Sequence, residues 1–207
     1  MSSQPAPVAA FDLDGTLTRR DTLLPFLTYL VGWTGMLARS PTLLPILAAY
    51  AAGLLSNSRA KEIVFDRFLT GRPLVEFNRI CERFARDRLP GVMRPRMLTR
   101  LGWHRRRGHR CVIVSASMEN YILPWARTAG FEAVIATRLE TADGLLTGRY
   151  DGANCHGTEK ARRLLAWLGQ RDGCEIYAYG DSRGDREMLA LADHAFYRIT
   201  PEEEPDG

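Results

Sequence analysis

Cysteine is scarce in this chain. Four occur in 207 residues, Cys81, Cys111, Cys155 and Cys174, and no two stand in a C-x-x-C pair. That usage excludes a disulfide framework and a zinc site. Cys111 lies inside an apolar run, where a reduced thiol acts as a small hydrophobe, which points to a reducing cytoplasm. Long hydrophobic runs are missing too. The apolar runs of residues 23–37 and 42–55 fall short of the ~20 residues that span a bilayer. The opening Met1-Ser-Ser-Gln-Pro-Ala-Pro7 has no basic region leading into an apolar one, so no secretory signal is expected. There is no internal repeat and no nucleic-acid-binding motif. A net charge of +4 suits an anionic substrate but gives no reason to expect nucleic acid.

What remains is an ordinary globular composition, 45% hydrophobic and 25% charged, enough for one domain or a core with an insertion. Short apolar runs at residues 8–12, 110–115, 133–137 and 175–180 read as strands, with helical patterns between them. This alternation predicts an α/β fold, a parallel sheet with helices on its faces. Residues 138–152 read as a β-hairpin turning at Asp143-Gly144. The gap between the first two strands is too long for a simple crossover. Within it Leu74, Phe77, Ile80, Phe84 and Arg88 form one helical stripe. The expectation is a helical cap at residues 19–90 inserted into a Rossmann-like core of residues 1–18 and 91–207. Ligands of open α/β sheets bind outside the carboxyl ends of the strands, where an insertion serves as a lid.

From Thr22 to Ser58 the only charged residue is Arg39, and Pro25, Pro41 and Pro45 are expected to break the helix. Two readings stay open for this segment. It packs on the core or a second subunit, or it meets lipid or an apolar substrate tail. Downstream, Arg94, Arg96, Arg100, Arg105, Arg106, Arg107 and Arg110 gather around His104 and His109. They read as a solvated helix face, or as the counterpart of an anionic membrane at the edge of the cytoplasm. The acidic residues after Thr200 are expected to fray.

The chemistry is concentrated at the strand ends. Val8-Ala-Ala-Phe-Asp-Leu-Asp-Gly-Thr16 ends in two carboxylates, Asp12 and Asp14, which leave a strand on the same side. Gly15 then lets the chain turn and aim backbone N–H groups at an anion. Two adjacent carboxylates repel unless a hard cation joins them, and magnesium accepts one or two carboxylates plus phosphate oxygens. The run Cys111-Val-Ile-Val-Ser-Ala-Ser117 puts the Ser115 hydroxyl at the sheet edge, with Ser117 open to serve as a helix N-cap. Lys160 occupies the first turn of a helix, against the macrodipole, as functional residues do. Asp181 leaves the last strand, and Asp185, four residues on, is placed to hold Lys160 or a metal-bound water.

The joint pattern Asp12-Leu-Asp-Gly-Thr16, Ser115, Lys160 and Gly180-Asp-Ser-x-x-Asp185 resembles the haloacid dehalogenase superfamily of phosphohydrolases. The long helical insertion resembles its phosphoserine-phosphatase-like subgroup, and the proline-broken apolar segment looks like the lipid-phosphate family of phosphatidylglycerophosphatase C. The resemblance implies a magnesium-dependent phosphomonoester hydrolase acting on a small-molecule or lipid phosphate. Asp12 would be the nucleophile and Asp14 the general acid–base. Asp12, the backbone carbonyl of Asp14, and Asp181 would hold Mg2+. Ser115, Lys160 and the amides at Gly15 and Thr16 would stabilise the phosphoryl charge, with Asp185 in support. The glutamate that reads the substrate's ammonium group in phosphoserine phosphatases is replaced here by Asp21. A phosphomutase and a non-catalytic phosphate-binding module are the alternatives.

Overall fold

The computed structural model describes residues 5–169 and 173–198. The chain opens with β1 (Val8–Phe11), then α1 (Leu23–Ala51), α2 (Asn57–Leu69), α3 (Leu74–Asp87) and α4 (Pro95–Arg106). Next come β2 (Arg110–Met118), α5 (Glu119–Ala129), β3 (Ala133–Thr137) and the hairpin β4 (Leu139–Ala142) and β5 (Leu145–Tyr150). It closes with α6 (Thr158–Leu168), β6 (Ile176–Gly180), α7 (Arg186–Ala190) and β7 (His194–Tyr197). The acidic residues after Thr200 lie outside the described residues.

The five-stranded sheet has the order β3-β2-β1-β6-β7, and each neighbouring pair is parallel. β1 takes the middle because all four of its residues are apolar and buried, as a strand covered on both faces requires. The chain passes from β1 to β2 on one side and returns to β6 on the other. The carboxyl ends of these three strands therefore meet at a topological switch point. β7 has no counterpart in the sequence reading. It is a short edge strand, mostly exposed, and lacks the apolar run that marks the central strands.

Between β1 and β2 the chain leaves and re-enters the sheet layer as a paired ribbon. Arg19 N–H donates to the Val92 carbonyl (2.9 Å), Arg94 N–H to that of Leu17 (2.8 Å), and Thr18 bridges Met93. Of the expected α3 stripe, Phe77 and Phe84 are buried and Leu74 and Ile80 half-buried, while Arg88 is exposed. The β4–β5 hairpin leaves the main sheet and joins the helices. Gly71 N–H donates to the Leu146 carbonyl and Leu146 N–H to that of Arg72, while Tyr150 donates to the Ser58 carbonyl.

The prolines behave otherwise than expected. α1 runs through Pro41 and Pro45, and its one non-helical residue is Gly32 (φ +72°, ψ 171°). Pro25 sits in the first turn, where no intrahelical donor is needed. At Pro41 the carbonyl left free is that of Leu37, and the Ser40 hydroxyl takes it at 2.8 Å. Phe26, Leu27, Leu43 and Ile46 of this helix join the core, whereas Trp33, Leu37, Leu44 and Leu47 are exposed. No helix among the described residues is long and apolar enough to cross a membrane.

The basic run is not one solvated face either. Arg100 and His104 are buried and converge on the Tyr179 hydroxyl, Arg100 Nε at 2.7 Å and His104 Nε2 at 2.8 Å. Trp103 stacks on Arg100, and Arg110 forms a bidentate pair with Glu132. The aromatic side chains of α4 and β6 draw the Arg100 guanidinium inward, where cation–π contacts with Trp103 and Tyr179 replace water.

Candidate active site

Asp12 and Asp181 directly follow β1 and β6, and Ser115 lies in β2 just past the end of its pairing with β1. Asp12 N–H donates to the Tyr179 carbonyl (2.9 Å), which fixes the end of β1 against β6. Lys160, in the first turn of α6, is 2% exposed, and its Nζ lies 2.5 Å from both Asp12 Oδ1 and Asp185 Oδ1. One buried ammonium thus joins two buried carboxylates, an arrangement that persists only when each group is hydrogen-bonded. Burial alone would deprotonate Lys160, but Asp12 and Asp185 outweigh it and hold the ammonium above its usual range. Burial pushes Asp12 up to about 7, against the pull of Lys160. Asp185 is held below the carboxylate range: Lys160 and hydrogen bonds from Ser182 overcome its burial.

Asp185 lies in a single 3-10 turn that leads into α7, capped by Ser182, whose hydroxyl and N–H both donate to Asp185 Oδ2 (2.7 and 2.9 Å). Both of its carboxylate oxygens are therefore committed to protein donors.

Asp14 faces a different set of partners. Thr22 N–H and the Thr22 hydroxyl donate to Oδ1 at 2.8 and 2.7 Å, and the Ser117 hydroxyl donates to Oδ2. Burial and the Asp21 carboxylate raise the Asp14 pKa, and the hydrogen bonds offset part of that rise. Lys61 of α2 reaches the same place. Its Nζ donates to the Ala116 carbonyl (3.3 Å), and burial lowers its pKa. Asp21 is exposed at the start of α1 and accepts from Leu23 N–H at 2.8 Å.

Three of these residues escaped the sequence reading. Ser117 is not an N-cap, because β2 continues to Met118, and its hydroxyl turns to Asp14 while its N–H donates to Ser115 Oγ (3.0 Å). Thr22 carried no signal beyond a short polar residue before an apolar run. Lys61 carried one: only two of the chain's 28 cationic residues are lysines, Lys61 and Lys160, and both come to this cleft.

The residues fit a hard cation. Oxygen atoms of Asp12, Asp181 and Asp185 lie within 4.8 Å of one another. Asp185 is spent on Lys160 and Ser182, but Asp181 Oδ1 is buried with no partner, a state that costs free energy unless a ligand fills it. Gly15, at φ +83°, keeps the approach open, since a Cβ there would collide with the Asp181 carboxylate. Asp12 and Asp181 are the side chains that would hold Mg2+.

Known proteins resemble this chain. The family described as haloacid dehalogenase-like hydrolase matches residues 9–190. Protein CicA of Caulobacter vibrioides is 37% identical over 196 residues, spanning 93% of this chain and 86% of that protein. Phosphoserine phosphatase SerB1 of Mycobacterium tuberculosis is 28% identical, spanning 90% of this chain and 68% of its own length. A solved structure from Bordetella pertussis Tohama I, a protein with unknown function, superposes with a TM-score of 0.77 at 27% identity. It covers 90% of this chain and 87% of its own.

Proposed function

Because this chain belongs to the haloacid dehalogenase-like hydrolase family, we propose that it is a magnesium-dependent phosphomonoester hydrolase working through an aspartyl-phosphate. The observation that carries the reading is the buried Asp12–Lys160–Asp185 array beside the unpartnered Asp181 oxygen. Asp12 attacks phosphorus as the bond to the leaving alcohol breaks, and Asp14 gives that alcohol its proton. Asp14 then takes a proton from the water that hydrolyses the acyl-phosphate, which restores both carboxyl groups. Lys160, held by Asp185, and the Ser115 hydroxyl meet the phosphoryl oxygens as charge develops. Thr22 and Ser117 hold Asp14 in orientation. Bound Mg2+ would keep Asp12 ionised and neutralise phosphoryl charge. The helices of residues 19–90 act as the cap over this cleft.

Release of inorganic phosphate from a small phosphomonoester tests the reading. Hydrolysis should require magnesium, and Asp12→Asn should abolish both turnover and the hydroxylamine-labile phosphoryl label. Isomer formation without phosphate release would favour a phosphomutase.

The alcohol is open to two readings. Phosphoserine is the substrate named for the Mycobacterium relative, and Asp21 offers a carboxylate to an ammonium group. A cavity of about 880 Å³ favours a larger, apolar alcohol, such as that of a lipid phosphate. It begins at Asp21 and Thr22 and is lined by Leu24, Tyr29, Trp33 and Phe84. A series of n-alkyl phosphates separates the two. Rising kcat/KM with chain length, lost in Trp33→Ser, supports the apolar alcohol, and a flat series with strong phosphoserine turnover supports the amino acid.

A further inference from the structure

Beside Asp181 lies a second cavity of about 300 Å³, lined by Gly15, Thr16, Arg94, Asp181, Phe196 and Arg198 among others, and not by Asp12, Ser115 or Lys160. Its cations are fixed by the backbone. Arg94 N–H bonds the Leu17 carbonyl and its Nε donates to that of Thr18 (3.1 Å). Arg198 N–H bonds the Gly180 carbonyl and its Nε donates to that of Asp181 (2.8 Å). Each guanidinium spends its Nε on a carbonyl oxygen, and neither forms an ion pair with a carboxylate among the described residues. The same cavity is lined by Thr16, 7% exposed, whose hydroxyl is buried without a partner. A buried hydroxyl left unsatisfied is unfavourable unless a ligand accepts from it.

Two anchored guanidiniums and an idle hydroxyl donor around one small cavity form the donor set of a polyatomic oxyanion. Arginine's remaining N–H groups present a planar fork that matches phosphate geometry. We propose that this cavity is a second anion site, distinct from the phosphoryl position at Asp12, that takes a phosphate-sized oxyanion. The occupant is either free inorganic phosphate or a second phosphoryl group of a larger ligand. The catalytic array does not need these arginines, since Lys160 already pairs with Asp12 and neither residue lines this cavity.

Equilibrium dialysis of the intact protein with magnesium and labelled inorganic phosphate counts the sites. Two phosphates per chain are expected for the wild type and one for the Arg94→Gln/Arg198→Gln double variant. Each single variant should weaken the second phosphate by on the order of tenfold to a hundredfold. Phosphate should inhibit hydrolysis of a small phosphomonoester in mixed fashion in the wild type and competitively in the double variant. One phosphate per wild-type chain overturns the proposal without recourse to any variant, and so does a double variant that still binds two. The source of the oxyanion is read by competition. Displacement of the second phosphate by a monophosphate points to a free ion, and preferential displacement by a bisphosphorylated compound points to a group on a larger ligand. Dialysis needs no turnover, so a chain that binds two phosphates but hydrolyses nothing would strike the phosphatase reading alone.

Discussion

The Ser117 hydroxyl donates to Asp14 Oδ2 across 103 residues of chain, joining the end of β2 to the loop after β1. With Thr22 on the other oxygen, this contact leaves the Asp14 carboxyl one orientation. Ser117→Ala should lower kcat roughly tenfold or more while leaving KM for a small phosphomonoester nearly unchanged, as loss of a positioning contact of about 1.5 kcal/mol or more predicts. Steady-state kinetics beside Ser115→Ala checks it. An unchanged kcat would remove Ser117 from the site's workings.

Lys160→Met leaves Asp12 and Asp185 facing each other without their shared cation. Breaking a buried pair in this way should destabilise the fold by about 3–5 kcal/mol and abolish turnover. Adding Asp185→Asn should recover much of the stability and none of the activity. Denaturant titration and phosphate release separate these two consequences.

Gly15→Ala strains a residue at φ +83° and pushes a methyl group into the Asp181 carboxylate. The wild type should gain about 2.7 kcal/mol of stability at magnesium a hundredfold above its Kd, seen as a raised melting temperature. The variant should lose that gain, and a variant still stabilised by magnesium would remove Asp181 from the metal site.

His104 carries a pH dependence of stability. Burial first, then Arg100 and its neighbours His109 and Arg107, push its pKa down to about 3 from the ordinary 6.5. The unfolded chain thus takes up a proton that the folded chain refuses. Stability should fall as pH drops through 6.5 toward 3, by at most about 1.4 kcal/mol per pH unit from this group. His104→Gln should flatten that slope, measured by denaturant titration at several pH values.

What the sequence could convey followed from its physics. Asp12, Asp14 and Asp181 are readable because each follows an apolar run, and a strand's period places them at one sheet edge. Lys160 is readable because a cation in a helix's first turn goes against the macrodipole. Ser117, Thr22 and Lys61 are not, because their roles arise from contacts between β2, α1 and α2 that no local pattern encodes. The misread basic run has the same cause. Arg100 and His104 turn inward because Tyr179, on a strand far along the chain, offers them a hydroxyl, while local patterning sees only a charged helix. Pro41 misled in the opposite direction, since a neighbouring serine satisfied the carbonyl it freed.

The scarcity of lysine gives the molecule an intrinsic chemical reporter. Amine-directed acylation of the folded chain meets one fully buried lysine, Lys160, and one half-buried lysine, Lys61. Arginine carries the rest of the cationic surface and does not react with such reagents. The rate at which Lys160 becomes acylated therefore tracks how often the Asp12 cleft comes apart, and Lys61 tracks the lifting of α2. Peptide mass spectrometry after brief acylation can follow both events in a single unlabelled sample.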